Sequence, residues 1–211
     1  MKQITVVIPA YKPDEKMLVT LEELVKAGFS DILVVNDGSG EEFDDIFKAV
    51  KKMPECTLLE HEVNRGKGAA MKTAFRYFMD NREDQKCVVT ADADGQHLTK
   101  DIIATAVAAK EQEKVVLGVR NFSDPNVPSR SKMGNQITCM VFRLFFGMKI
   151  QDTQTGLRAF PRKYLEDILK AEGDRYEYEM NMLIDTAKRK VKVEEVKIPK
   201  VGKRKAYFVA K

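Results

Sequence analysis

Two carboxylates, Asp92 and Asp94, stand one residue apart at the end of the apolar run in Val88–His97 (VVTADADGQH). Hard oxygen ligands at that spacing suit Mg2+ or Mn2+. Such an ion keeps several waters and bridges to substrate phosphates, so two protein carboxylates suffice. Gln96 adds a neutral oxygen two residues on. The run can equally form an Asx turn with Asp94-Gly95 at its tip, and read alone it leaves both readings open. In Asn64–Ala70 (NRGKGAA), Lys67 sits between two glycines ahead of a helical pattern. Backbone N–H groups at a helix start can approach a phosphate there; an ordinary glycine turn with solvated Arg65 and Lys67 is the alternative. The spacing is neither a Walker A loop nor a dinucleotide fingerprint. Asn36–Ser39 (NDGS) sets Asp37 before Gly38, either to meet a ligand or to cap a turn.

These clusters follow strand-like runs, and that coincidence is the first functional signal. Ile4–Pro9, Asp31–Val35, Cys56–Leu59, Lys86–Ala91 and Lys114–Val119 are continuously apolar and rich in β-branched residues, as strands covered on both faces require. Helical spacing fills the gaps, in Met17–Val25, Phe43–Val50, Ala70–Phe78 and Ile102–Val107. The alternation predicts an α/β fold, an open, mostly parallel sheet flanked by helices, with ligands at the carboxyl ends of the strands. After Arg120 the rhythm changes. Asn121–Arg130 reads as a loop, Ile137–Met148 as a strongly apolar helix, Leu157–Phe160 as a short strand, Glu177–Ala187 as a helix and Val191–Ile198 as a last strand.

The 211 residues suffice for one such domain, expected over 1–198, with a basic tail of uncertain structure over 199–211. The net charge of +4 is too mild to indicate nucleic-acid binding, but it is uneven: Lys188–Lys211 holds ten basic and two acidic residues. Cys56, Cys87 and Cys139 are scattered and odd in number, which argues against a disulfide framework or a structural zinc and suits a reducing compartment. His61 and His97 form no ligand cluster with them, and no Ser-His-Asp pattern is present. The opening MKQITVVIPAY is not a signal peptide, and no run of apolar residues is long enough to span a membrane.

Taken in order, VVIPAY, VVNDGS, NRGKGAAMKTA, VTADADGQH, GVR, DTQTGLRAF and YEYEMNML resemble the family 2 glycosyltransferases of GT-A fold, nearest to the dolichyl- and polyprenyl-phosphate sugar transferases. The resemblance runs from about Thr5 to Ile198. It implies that Pro9, Tyr11, Val35 and Asp37 hold the base and ribose of a UDP- or GDP-sugar. It makes Asp92, Asp94 and Gln96 the metal and diphosphate group, with Ala93 lining the site. Arg120 would meet the donor phosphates, with Lys67 close by. Asp152 takes the position of a catalytic carboxylate. Three features depart from the pattern: Pro13 replaces an acidic residue after the first-loop tyrosine, Asn36 replaces the first aspartate of DDGS, and the basic tail does not align.

The implied reaction moves a sugar, with inversion, from the nucleotide diphosphate to a polyprenyl or dolichyl phosphate. The metal and Arg120 would stabilise charge on the leaving diphosphate. A phosphate acceptor is already anionic at pH 7 and needs positioning more than deprotonation. A hydroxyl acceptor would need a base, for which Asp152 is the candidate. Arg130 and Lys132 stand as phosphate anchors or as a solvated helix start. Residues 137–148 and the basic tail would dock the chain on anionic lipid, making it cytoplasmic and peripheral on the cytoplasmic face of a membrane, or a membrane-anchored partner would hold it there. Two alternatives stay open: a degenerate nucleotide-sugar binding module, and a glycosyltransferase acting on a hydroxyl.

Overall fold

A computed structural model describes residues 1–120 and 129–198. Seven strands make one sheet: β1 (Ile4–Ala10), β2 (Ile32–Asp37), β3 (Cys56–His61), β4 (Cys87–Thr90), β5 (Val115–Arg120), β6 (Arg158–Pro161) and β7 (Val193–Ile198). Their order is β3-β2-β1-β4-β6-β5-β7. Four of the six pairings between neighbours in that order are parallel, β1–β2, β2–β3, β1–β4 and β5–β7, while β6 runs antiparallel between β4 and β5. Chain order reverses at β1, which has β2 on one side and β4 on the other. That is where open α/β sheets leave a crevice.

Pro9 shows how the crevice opens. The backbone N–H of Ala91 bonds the Val7 carbonyl, so alternate residues of β1, Val7 and then Pro9, face β4. Pairing with β4 ends at Val7↔Thr90. The missing N–H of Pro9 therefore falls where β4 has already turned away, and costs no ladder bond.

Helices α1 (Lys16–Lys26), α2 (Asp44–Lys51) and α4 (Thr99–Gln112) cover one face, burying Met17, Leu21, Leu24, Phe47, Val50, Ile102 and Ala106 against Ile4, Val6 and Ile8. Helices α3 (Lys67–Asn81), α6 (Arg162–Leu169) and α7 (Glu177–Lys188) cover the other, packing Ala70, Phe75, Phe78, Leu165, Ile168, Tyr178 and Met182 against Val7, Leu33 and Val35. Alternate side chains of each central strand thus serve opposite layers, which is why those strands read as unbroken apolar runs.

Several elements differ from expectation. The apolar helix is longer: α5 runs Ser129–Phe146, because its first two turns are polar and carry no apolar period. α6 was not foreseen, since only Leu165 and Ile168 of its eight residues are buried. β2 continues through Asn36 and Asp37, past the expected end at Val35. The segment 121–128 of the expected loop and the tail 199–211 lie outside the described residues. Among the described residues no helix is long and apolar enough to cross a membrane.

Candidate active site

The carboxyl ends of β1, β2 and β4 open into a cavity of about 610 Å³. Its walls are the first loop (Pro9 to Asp14), Asp37, the glycine loop with Asn64, Gly66 and Lys67, the segment Asp92–Asp94, and Arg175 with Tyr176 from the turn before α7. Of the residues expected to bind a donor, Pro9, Tyr11, Asp37, Lys67, Asp92, Ala93 and Asp94 line this cleft together. Tyr11 is half exposed, its ring available for stacking.

Val35, Gln96 and Arg120 are not among the residues that line the cavity. Val35 is fully buried in the core beneath α3 and presents no side chain to the cleft. Gln96 turns its amide nitrogen onto Asp94 Oδ2 at 2.6 Å and its backbone N–H onto Asp94 Oδ1 at 2.9 Å. It therefore orients Asp94 and does not stand beside it as a third oxygen. Arg120 and Asp152 form their own pair, Nε to Oδ2 at 2.7 Å and Nη2 to Oδ1 at 3.0 Å. The Arg120 and Gln154 backbone N–H groups supply two further donors to Asp152, so its carboxylate is wholly committed. The hydrogen bond with Asp152 holds the Arg120 guanidinium above its ordinary value. Arg130 and Lys132 fall on the first turns of α5, and Lys132 is not among the residues lining the cleft.

Asp37 is committed inward. Oδ1 accepts from His61 Nδ1 at 2.7 Å and from the Arg65 backbone at 2.9 Å; Oδ2 accepts from Gly66 N at 2.8 Å and Asn64 Nδ2 at 3.0 Å. A carboxylate offers about four lone-pair sites; three hold the glycine loop and the fourth ties it to His61 at the end of β3. Gly38 has φ +65°, and a Cβ there would lie 2.3 Å from the Val63 carbonyl carbon, so only glycine lets the two loops meet.

Behind Asp92 lies a charge network. Lys67 Nζ bonds Asp92 Oδ1 at 2.7 Å and Glu179 Oε2 at 2.9 Å, and His97 Nε2 meets Asp92 Oδ2 at 3.2 Å. Burial alone would raise the Asp92 carboxyl, but His97 and Lys67 outweigh it and hold it well below the usual carboxylate range. Burial would likewise lower the Lys67 ammonium, yet the charges of Asp92 and Glu179 keep it above the ordinary lysine value. Arg158, fully buried on β6, donates to the carbonyls of Thr153, Thr155 and Glu179. Gly156 lies directly against this carboxylate: a Cβ there would lie 2.5 Å from Asp92 Oδ2.

Two cleft-facing carboxylates, one held ionised by its surroundings, fit a hard divalent cation that is shared with a ligand's phosphates. No group of three or more acidic, histidine or cysteine side chains among the described residues would hold a metal alone.

A model of the family described as "Glycosyl transferase family 2" matches residues 5–169. The chain belongs to glycosyl transferase family 2. It is 30% identical to a UDP-N-acetylglucosamine–dolichyl-phosphate N-acetylglucosaminyltransferase of Methanococcus voltae, over 93% of this chain and 85% of that protein. It is 31% identical to an uncharacterized protein of Methanocaldococcus jannaschii, over 93% of this chain and 80% of the relative. Among solved structures, glucosyl-3-phosphoglycerate synthase of Mycobacterium tuberculosis with Mn2+, UDP-glucose and phosphoglyceric acid superposes with a TM-score of 0.73, covering 97% of this chain and 72% of that one at 16% identity. That likeness establishes the GT-A fold for this family 2 chain.

Within this glycosyltransferase, sequence reasoning passed over Asn64, Arg158, Arg175, Tyr176 and Glu179, and gave His61 and His97 no role. Two of them carried a signal. Arg158 interrupts an apolar strand, and Glu179 sits at helical spacing from the buried Met182 and Leu183. A charge on a core stripe needs a partner. Arg175 and Tyr176 reach the cleft from a turn, and no periodicity marks them.

Proposed function

We propose that the described chain acts as one catalytic domain that transfers a sugar, with inversion, from a UDP- or GDP-sugar to a polyprenyl or dolichyl phosphate at a membrane surface. The observation that carries this reading is how the acceptor side is built. α5 turns Met133, Ile137, Met140, Val141, Leu144 and Phe145 outward, each more than 40% exposed. Its inner side is tied to the turn bearing Asp152: Asn135 Nδ2 bonds the Gln151 carbonyl at 2.6 Å, and Asn135 Oδ1 accepts from Thr153 N at 3.0 Å. An apolar face and the Arg120–Asp152 pair therefore share one rigid joint. The segment 129–149 holds four basic residues and no acidic one, a composition that favours anionic lipid. The relative from Methanococcus voltae is named for a dolichyl phosphate substrate.

In this reading Asp92 and Asp94 hold Mg2+ or Mn2+, and the ion would stabilise charge on the leaving diphosphate. Lys67 adds its ammonium from the cleft wall, and Tyr11 stacks on the base. Asp152 orients Arg120 and accepts no proton, which suits an acceptor phosphate that is already ionised. The three free cysteines support the cytoplasmic face.

The test supplies the protein with labelled UDP- and GDP-sugars, Mn2+ or Mg2+, and dolichyl or undecaprenyl phosphate in vesicles. Label in the organic phase from one donor, absent without lipid phosphate, is the expected result. Donor binding without lipid product would favour a hydroxyl acceptor; no binding of any donor would favour a non-catalytic module.

A further inference from the structure

Lys67 is the cation of the cleft whose surroundings are most fully built. Its side chain is four-fifths enclosed, and its ammonium sits between two carboxylates of different standing. Asp92 lines the cleft; Glu179 does not, and reaches Lys67 from behind, from the first turn of α7. Glu179 also has capacity to spare. Its Oε2 takes Lys67 at 2.9 Å, whereas Oε1 is buried with no hydrogen-bond partner among the described residues. A buried acceptor left unmet carries a desolvation cost and persists where something else requires it.

The mounting of Glu179 is rigid. The fully buried Arg158 donates to its backbone carbonyl. The preceding residue, Tyr178, is locked by its hydroxyl on the Ile168 carbonyl at 2.9 Å. The turn before α7 is bonded to the start of α3, Ala69 N to the Asp174 carbonyl at 2.9 Å. The helix that carries Lys67 and the helix that carries Glu179 are thus joined at their N-terminal ends.

Resting on the reading of the cleft as a nucleotide-sugar site, we propose that Glu179 is the positioning residue for Lys67. It keeps the ammonium in the cleft as counter-ion when Asp92 turns to the incoming donor. A buried ammonium deprived of its only carboxylate is costly. With Glu179 behind it, Lys67 releases Asp92 without losing its charge partner, since the free Oε1 can take a second N–H of the same ammonium. Without Glu179, Lys67 has Asp92 alone, and each donor must break that ion pair to use the carboxylate.

The experiment measures UDP binding by titration calorimetry in the presence of Mn2+, with GDP as the second probe. Glu179→Gln keeps size and removes charge; it is expected to weaken nucleotide binding about 10-fold, in line with supporting residues of other ion sites. Glu179→Asp, which retains the charge, is expected to recover to within about 3-fold. In a double-mutant cycle, Glu179→Gln should add almost nothing to Lys67→Met, because each removes the same contact. A purely structural role would give additive losses and no recovery by aspartate. Native-like binding by Glu179→Gln, or additive losses, overturns the proposal. A native chain that binds neither nucleotide overturns the reading of the cleft itself. If Glu179→Gln fails to fold, the native protein crystallised with UDP and Mn2+ decides. Lys67 bonded to Glu179 with Asp92 turned away supports the proposal; Lys67 on Asp92 and beyond 4 Å from Glu179, the limit of an ion pair, overturns it.

Discussion

Gly66 donates its backbone N–H to Asp37 at 2.8 Å across twenty-nine positions of sequence. With His61, Asn64 and Arg65 supplying the other donors, the last residue of β2 becomes the anchor of the glycine loop. A carboxylate expected to hold nucleotide also shapes the wall of the cleft that it lines. Asp37→Asn offers one acceptor oxygen where the carboxylate offers two and leaves buried N–H groups unmet. We expect a loss of about 3 kcal/mol of stability, read by urea unfolding. A loss below about 1 kcal/mol, the range of an exposed pair, would remove Asp37 from this role.

Gly156→Ala places a methyl group 2.5 Å from Asp92 Oδ2. Either the turn bearing Gly156 or Asp92 must move, and the carboxylate is the softer of the two. UDP–Mn2+ binding should fall about 10-fold, with a stability cost of only about 1–2 kcal/mol. Unchanged nucleotide binding would show that Asp92 tolerates displacement.

Chelation with EDTA should abolish nucleotide binding, and added Mn2+ should restore it. Asp94→Ala should bind nucleotide weakly whether Mn2+ is present or not, since it removes one of two cleft carboxylates. Metal-independent binding by the native chain would exclude the assigned ion.

Asp92 also gives the metal-free chain an acid dependence. Its folded carboxyl lies below the ordinary value of about 3.9. The stability it confers is therefore complete above that value, and is lost as pH falls through the ordinary range toward the lower folded one. Asp92→Asn should lower the melting temperature at pH 7 and flatten its fall between about pH 5 and 2. Parallel curves for the two proteins would contradict the ion-pair account.

Leu144 and Phe145 are 72% and 77% exposed on α5. Vesicles rich in anionic lipid should float the native chain at low salt, and Leu144→Asp with Phe145→Asp should leave it in the dense fraction. Binding that survives both charges would place the membrane contact elsewhere.

Much of the site was legible because chemistry and local geometry coincide in single short segments. An apolar run ending in Asp92-Ala93-Asp94, a glycine pair around Lys67, and a tyrosine after Pro9 each announce strand end, turn and polar group together. Arg120 and Asp152 were legible as residues but not as partners. Their pairing depends on how a β5 end meets a turn thirty-two positions later, and no spacing encodes that.

The amino-acid sequence by itself determined the alternation of strands and helices, the mostly parallel sheet, and which strand ends carry chemistry, because periodicity and turn residues act over a few positions. Tertiary structure alone decided what those groups do. Asp37 anchors a loop because His61, Asn64, Arg65 and Gly66 converge on it, and Gln96 serves Asp94 because their turn folds the amide onto the carboxylate. Lys67 stands between Asp92 and Glu179 because α3 and α7 meet at their N-terminal ends. Hydrogen bonds and ion pairs form only within about 3 to 4 Å, a range that residues a hundred positions apart enter only when the chain has folded.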